Sequence, residues 1–585
     1  PNPGNPNPGN PNPGNPNPGN PNPGNPNPGN PDPVNPNPGN PNPGNPDPGN
    51  PNPGNPDPGN PNPGNPNPGN PDPVNPNPGN PNPGNPDPVN PNPGNPTPVN
   101  PTPVNPTPVN PTPVNPNPGN NPMNGLSPAN QITISTDLQT ISISPAQAGN
   151  ASSTGRSSLD TTGLLRENVA TALQRGNLEV FVPEIEKLRQ QEYENYFGEN
   201  IPGNSKNSLS LVQVQRILKR IAERPGKKPA ILYVFIQPEQ LELVLVTPSG
   251  RPIHRTIRAA NRNALLKVVA EFRSEVTDSS KTDTTSYLPS AKKLYQWLIA
   301  PIEAELRSQG IETLAFSLDS GLRSIPIAAL HDGQKFLVEK YSIGLIPSVN
   351  LIDSDYKDIR NSQVLAMGAS KFTDLSPLPA VPVELFTIAK EIWQGKTFLN
   401  EGFTLANLKL QRSNQPFSII HLATHAEFRA GKPNNSFIQL WNSQLGLDQL
   451  RQMRWNKPQV ELLVLSACRT ALGDEQAELG FAGLAVASGV KSALASLWYV
   501  SDQGTLGLMT AFYQHLKTAP IKAQALQEAQ ISMIRGDIRI EDGKVLGLVS
   551  HPEGVPLPPE LASQGNQNLS HPYFWAGFTM IGSPW

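Results

Sequence analysis

Glu461-Leu462-Leu463-Val464-Leu465-Ser466-Ala467-Cys468-Arg469-Thr470 is an apolar run that stops at the only cysteine of a 585-residue chain. It reads as a buried strand, because a short continuous apolar run is bounded at once by the polar, glycine-containing Thr470-Ala471-Leu472-Gly473-Asp474-Glu475. A second run, Ser418-Ile419-Ile420-His421-Leu422-Ala423-Thr424-His425, ends in the same way on His425, 43 residues before Cys468. Further runs at 314–318, 364–367 and 493–498 alternate with helical patterns at 383–393, 481–488, 505–516 and 523–534. Buried runs of this length separated by helices predict parallel strands in a three-layer α/β/α sandwich. Such sheets bind ligands outside the carboxyl ends of their strands, so the residues that close each run are the ones to inspect.

Upstream, 209–223 predicts an amphipathic helix, 230–236 and 241–247 a hairpin across the polar Gln237 to Gln240, and 261–276 and 291–309 two more helices. Leu165, Val169 and Leu173, then Ile185, Leu188 and Tyr196, suggest a helical lead-in. The expected organisation is a lead-in region over 161–284 and a domain over 285–585.

Everything before it has a different character. Residues 1–120 are 24 pentads of the form Pro-x-Pro-x-Asn and hold 48 of the 75 prolines. Their only other apolar side chains are seven valines, and proline at every second or third position lacks the N–H that ladders need. The expectation is a disordered Pro/Asn/Gly tail, about 370 Å long if fully extended and about 60 Å as a coil. It reads as a solubilising spacer, with proline-rich docking as the alternative, and glycine falls too rarely for collagen. Residues 121–160 continue as a Ser/Thr/Asn-rich linker. The chain begins at Pro1 rather than Met, which reads as a fragment or processed product.

The tail carries five Asp and no base, so the remaining residues hold 44 basic against 42 acidic side chains. That balance gives no reason to expect nucleic acid or an anionic membrane as partner. No run of 18 apolar residues encodes a membrane span. A Gly-x-Ser-x-Gly elbow, His-Glu-x-x-His, a Walker-type loop and a dinucleotide glycine signature are all missing, so neither a cofactor nor a metal is expected.

One cysteine makes no intrachain disulfide and no multi-cysteine zinc site. If one crossover unit brings the two strand ends side by side, His425 can take the proton of Cys468 and the thiolate can attack a carbonyl. A lone cysteine in an apolar strand is more often a small core residue, and His421 with His425 also reads as a packed histidine pair. Spacing alone leaves both readings open.

Five ordered blocks make the pattern more specific. They are Leu322-Arg323-Ser324-Ile325-Pro326-Ile327-Ala328-Ala329-Leu330-His331-Asp332-Gly333, His421-Leu422-Ala423-Thr424-His425, Leu463 to Thr470, Ala485 to Trp498, and Ser570-His571-Pro572-Tyr573-Phe574-Trp575-Ala576-Gly577-Phe578. Together they resemble the CHAT domain, a caspase-like and separase-like cysteine peptidase family, over about residues 285–585. The resemblance implies a caspase-like fold with a mostly parallel sheet and an endopeptidase acting on protein or peptide substrates. It implies Cys468 as nucleophile, His425 as general base, His421 as a structural neighbour, and an oxyanion hole from the backbone N–H groups of Cys468 and Ala426. The family usually has glycine where this chain has Ala426; if a positive φ is needed there, alanine costs about 1 kcal/mol or more. A weak or inactive scaffold serving as a protein-interaction module is therefore the alternative.

In caspase relatives the residue two before the cysteine helps line the specificity pocket, and here it is Ser466. Asp474, Glu475 and Asp502 could build an acidic pocket for Lys or Arg, or be solvated loop charges, while Arg469 could favour an acidic group. Family members often carry helical repeats that recruit partners, and a regulatory protein partner is a further expectation. An unpaired reactive thiol suits the cytoplasm, and a long stalk suits the cell surface.

Overall fold

Four of the apolar runs lie side by side and parallel in the computed structural model, which describes residues 158–201 and 208–585. The repeat expected over 1–120 and the linker up to residue 157 lie outside the described residues. The strands are, in chain order, β1 (Pro229–Ile236), β2 (Leu241–Val246), β3 (Ile253–Ile257), β4 (Thr313–Ser317), β5 (Ser342–Leu345), β6 (Val364–Gly368), β7 (Gly395–Leu399), β8 (Ile419–Phe428), β9 (Phe437–Gln439), β10 (Gln444–Gly446), β11 (Leu462–Thr470) and β12 (Ser492–Ser496). Then come β13 (Arg539–Glu541), β14 (Lys544–Leu546), β15 (Val555–Pro556), β16 (Gln567–Asn568) and β17 (Phe578–Gly582).

One large sheet runs β10-β9-β8-β11-β12-β17-β5-β4-β1-β2-β3, with β6 beside β8 and β7 beyond β6. The ladders β6/β8, β8/β11 and β11/β12 are parallel, as are β17/β5, β5/β4 and β4/β1. The antiparallel β17 joins these two parallel halves, with Ser496 opposite Phe578 on one side and Leu345 opposite Ile581 on the other. This is the mixed α/β architecture with a mostly parallel central sheet that the alternation of runs and helices predicts. Short β13 to β16 form a separate small sheet.

The uninterrupted apolar character of β1 follows from burial on both faces. Leu232, Val234 and Ile236 enter the main core, while Ile231, Tyr233 and Phe235 pack against helices Leu178–Phe197 and Leu211–Glu223 through Phe181, Val182, Val214 and Leu218. Because β1 pairs with β4, the division drawn at 284/285 is no break in the structure: one sheet crosses it. The lead-in helices are also tied to the sheet by Asp319, fully buried, which accepts from Arg166, Arg189 and the Ile236 N–H at 2.7–2.9 Å.

Three helices differ from expectation for local reasons. The one expected over 291–309 stops at Leu298, turns through Ala300–Ile302 and resumes over Glu303–Ser308, because Pro301 lacks an N–H and disfavours helical backbone before it. That expected over 383–393 starts as Val381–Phe386 and widens into a π-turn at Thr387–Ile392. The one expected over 481–488 is two helices, Glu475–Ala482 and Leu484–Ser488, meeting at Gly483, and it starts early because Asp474 caps it.

Candidate active site

The carboxyl ends of β8 and β11 carry the two residues singled out by the sequence, and both strands run further than their apolar cores. The ladder pairs Leu422 with Leu465, slips by one residue, then pairs His425 with Ala467 and Ala426 with Cys468. At the slip β8 also changes its other neighbour, from β6 to β9. An open crevice of about 820 Å³ lies at these strand ends, walled by His425, Ala426, Arg469, Trp498 and Tyr499.

His425 is held on three sides. Its Nε2 lies 2.8 Å from the Ser376 carbonyl oxygen. A carbonyl only accepts, so Nε2 bears a proton, and in the neutral imidazole the lone pair is that of Nδ1. The ring is 4.8 Å from that of Phe372 and stacks at 29° on that of Tyr499, 6.0 Å away. Tyr499 is oriented in turn by donating to Asp502 Oδ1 at 3.0 Å, while Asp502 Oδ2 accepts from the Ala380 N–H. Burial pushes the Asp502 carboxyl up to about 6.

Cys468 has no exposed surface. Its thiol faces the Leu465 carbonyl oxygen at 3.5 Å, and burial pushes its pKa up to about 12. The backbone N–H of Cys468 donates to Ser496 Oγ at 3.2 Å, and the same hydroxyl donates to the Cys468 carbonyl at 3.1 Å. Register partners share a face of a sheet and neighbours along a strand alternate. Cys468 therefore shares its face with Ala426, and His425, the neighbour of Ala426 along β8, takes the other. The fold brings the thiol and the imidazole to adjacent strand ends, one register step apart, with the thiol hydrogen-bonded to Leu465 and the imidazole to Ser376 rather than to each other.

Ala426 is 1 % exposed and is not among the residues with positive φ. The backbone penalty that alanine would carry in a left-handed conformation is thus absent. Ser466 is buried opposite the slip, with no hydrogen-bond partner for its hydroxyl among the described residues, and it does not wall the crevice.

The acidic pocket expected from Asp474, Glu475 and Asp502 is not assembled. Asp474 accepts from the N–H groups of Gln476 and Ala477, Glu475 pairs with Arg262, and Asp502 is engaged with Tyr499 and Ala380. The charges that do wall the crevice are Arg469, Arg429 and Glu427, the last two paired at 2.6 Å. His421 is buried beneath the site, 3.0 Å from Glu384 and 3.2 Å from the Tyr513 hydroxyl.

Ser376, Phe372, Tyr499 and Ser496 were not picked out by sequence reasoning. Ser496 and Tyr499 had a signal, since one stands near the close of the apolar run 493–498 and the other directly follows it. No group of three or more His, Cys, Asp or Glu side chains able to hold a metal occurs among the described residues. No helix among them is long and apolar enough to cross a membrane.

Two crystal structures of the Saccharomyces cerevisiae separase–securin complex are similar in structure, at 11% and 10% sequence identity with TM-scores of 0.40 and 0.42. Each similarity covers 70% of this chain and 34% of that chain, so this chain spans about a third of the length of the protein it matches. No curated protein matches the sequence. The profile of the CHAT domain family matches residues 288–583, half of the chain, and that segment contains Cys468, His425 and every strand from β4 to β17. The chain belongs to the CHAT domain family.

Proposed function

We propose that the domain is a cysteine endopeptidase held in a latent state, with Cys468 as nucleophile and His425 as general base. The observation that carries this reading is the β8/β11 register, which sets the two residues one step apart at neighbouring strand ends beside an open crevice. The tether of His425 Nε2 to Ser376 supports it further, because it leaves Nδ1 as the proton acceptor.

In the active arrangement the thiol turns toward the crevice and gives its proton to His425 Nδ1. The thiolate attacks the peptide carbonyl carbon, a C–S bond forms, and the carbonyl electron pair becomes an oxyanion facing the N–H groups of Cys468 and Ala426. Collapse breaks the C–N bond, and the leaving amine takes the proton from the imidazolium. Water, deprotonated by the same imidazole, hydrolyses the thioester and regenerates the thiol. The substrate is a protein or peptide, and a regulatory protein partner is the simplest agent to drive the change. Arg469 favours an acidic group near the cut bond.

The second reading is an interaction scaffold that keeps the fold without the chemistry. It is favoured by the full burial of Cys468 and by a thiol hydrogen-bonded to the Leu465 carbonyl rather than to His425. A peptidyl acyloxymethyl ketone separates the two, since it captures a thiolate bound in a peptide-accepting site. The peptidase reading expects slow, specific capture of Cys468, slowed further by about 100-fold or more in His425→Ala. Capture indifferent to His425 refutes the dyad and leaves the scaffold.

A further inference from the structure

The pairing of β11 with β12 ends at Leu465 opposite Ala495, three residues before the cysteine. Beyond that point the ladder with β12 is interrupted until the Thr470 N–H donates to the Leu497 carbonyl at 3.1 Å, and in the gap Cys468 has no backbone partner on the β12 side among the described residues. A single side-chain atom takes the place of the ladder there. Ser496 Oγ accepts from the Cys468 N–H at 3.2 Å and donates to the Cys468 carbonyl at 3.1 Å, with Ser496 and Cys468 both fully buried. Only a hydroxyl can do both from one atom, since it carries one proton and two lone pairs.

We infer that Ser496 is an autoinhibitory clamp on the nucleophile, whose hydroxyl occupies the Cys468 N–H and fixes the backbone that turns the thiol into the Leu465 carbonyl. The inference rests on the peptidase reading for its meaning in catalysis, because the N–H that Ser496 occupies is the one a tetrahedral oxyanion needs. One N–H does not serve two strong acceptors in good geometry, so the clamped state and the transition state exclude each other. The backbone of Ser496 stays in its ladder with Phe578, and the Leu497 N–H donates to the Gly577 carbonyl at 2.9 Å. Release therefore asks for rotation of the Ser496 side chain and a shift of the short segment around Cys468, while the sheet stays intact. Ser496 is a positioning residue in this scheme: it acts on substrate chemistry only through Cys468.

The test reads the thiol and asks nothing of catalysis. Cys468 is the only cysteine in the chain, so iodoacetamide alkylation followed by intact mass reports on it alone. Loss of two ordinary hydrogen bonds from the closed state predicts alkylation about tenfold faster or more in Ser496→Ala at neutral pH. Ser492→Ala removes another buried hydroxyl from β12, one bonded to the Ser583 carbonyl, and is expected to alkylate at the native rate. Ser496→Thr and Ser496→Val add the same bulk and differ only in the hydroxyl, so the Val variant alkylates fast and the Thr variant slowly.

Native-rate alkylation of Ser496→Ala, equal rates for the Thr and Val variants, or equal acceleration by Ser492→Ala each overturns the clamp. The outcome is separable from that of the peptidase reading. Fast alkylation of Ser496→Ala with ketone capture indifferent to His425 keeps the clamp and removes the chemistry; native-rate alkylation with His425-dependent capture does the reverse.

Discussion

Unfolding the chain should unmask its thiol by more than three orders of magnitude in alkylation rate. At a pKa of about 12, the thiolate at pH 7.4 is about one Cys468 in 40,000. A free cysteine, with a pKa of about 8.5, is ionised in about one copy in 13. Alkylation runs through the thiolate, so the folded chain is expected to react about 3,000-fold more slowly than the same chain in concentrated urea, before any further slowing from lack of access. Whether the thiolate reacts in place or through transient opening, the rate follows its total population. It should therefore rise about tenfold per pH unit and continue through pH 8.5 with no plateau. The sign for stability follows from the raised folded pKa: the contribution of the neutral buried thiol is full below about 8.5 and is lost as pH rises toward about 12. The assay is intact mass at timed quench, in native buffer and in urea, across pH 6 to 10, with circular dichroism confirming the fold at each pH. A native rate within about tenfold of the unfolded rate, or a plateau near pH 8.5, refutes the reasoning from burial.

Other parts of the structure are open to equally direct tests. Asp319→Asn removes the fully buried one of the two carboxylates, Asp319 and Glu192, that pair with both Arg166 and Arg189, and should cost about 3–5 kcal/mol in urea denaturation; a loss under about 1 kcal/mol contradicts the account of how the lead-in helices are held. Asp502 has a raised folded pKa, so the stability it contributes is present below 3.8 and lost as pH rises through about 6. Asp502→Asn should flatten that part of the pH–stability curve, and an unchanged slope between pH 4 and 7 counts against the buried carboxyl. Gly582 has φ of +92°, and an added Cβ would lie 2.5 Å from the Lys491 carbonyl oxygen; Gly582→Ala should lower the thermal midpoint through a loss of about 2 kcal/mol or more, and an unaltered midpoint refutes the close approach.

Much of the architecture is legible without coordinates because burial is periodic in one dimension. The runs at 314–318, 364–367, 419–424, 462–466 and 493–498 all became strands, and the hairpin of β1 and β2 stands where two apolar runs flank the polar Gln237 to Gln240. The extent of the sheet was less legible: β5 and β17 are short and carry glycine, and Pro301 and Gly483 divided helices that apolar periodicity alone ran together.

The candidate site divides along the same line. Residue type and the stops of two apolar runs singled out Cys468 and His425, and five ordered blocks identified the family. Sequence also distinguished the proline repeat from the rest, since a segment with almost no apolar side chains cannot bury a core. Tertiary structure alone decided that the imidazole and the thiol take opposite faces, because an extra residue in β8 opposite Ser466 exchanges the face of His425 relative to β11, where an unbroken register would have paired it with Cys468. It alone showed Asp474, Glu475 and Asp502 engaged elsewhere, brought Ser376 and Tyr499 to His425, and set the Ser496 hydroxyl on both backbone groups of Cys468. Those outcomes depend on register and on side chains from distant strands, and a hydrogen bond of about 3 Å between residues 28 apart leaves no period in the sequence to read.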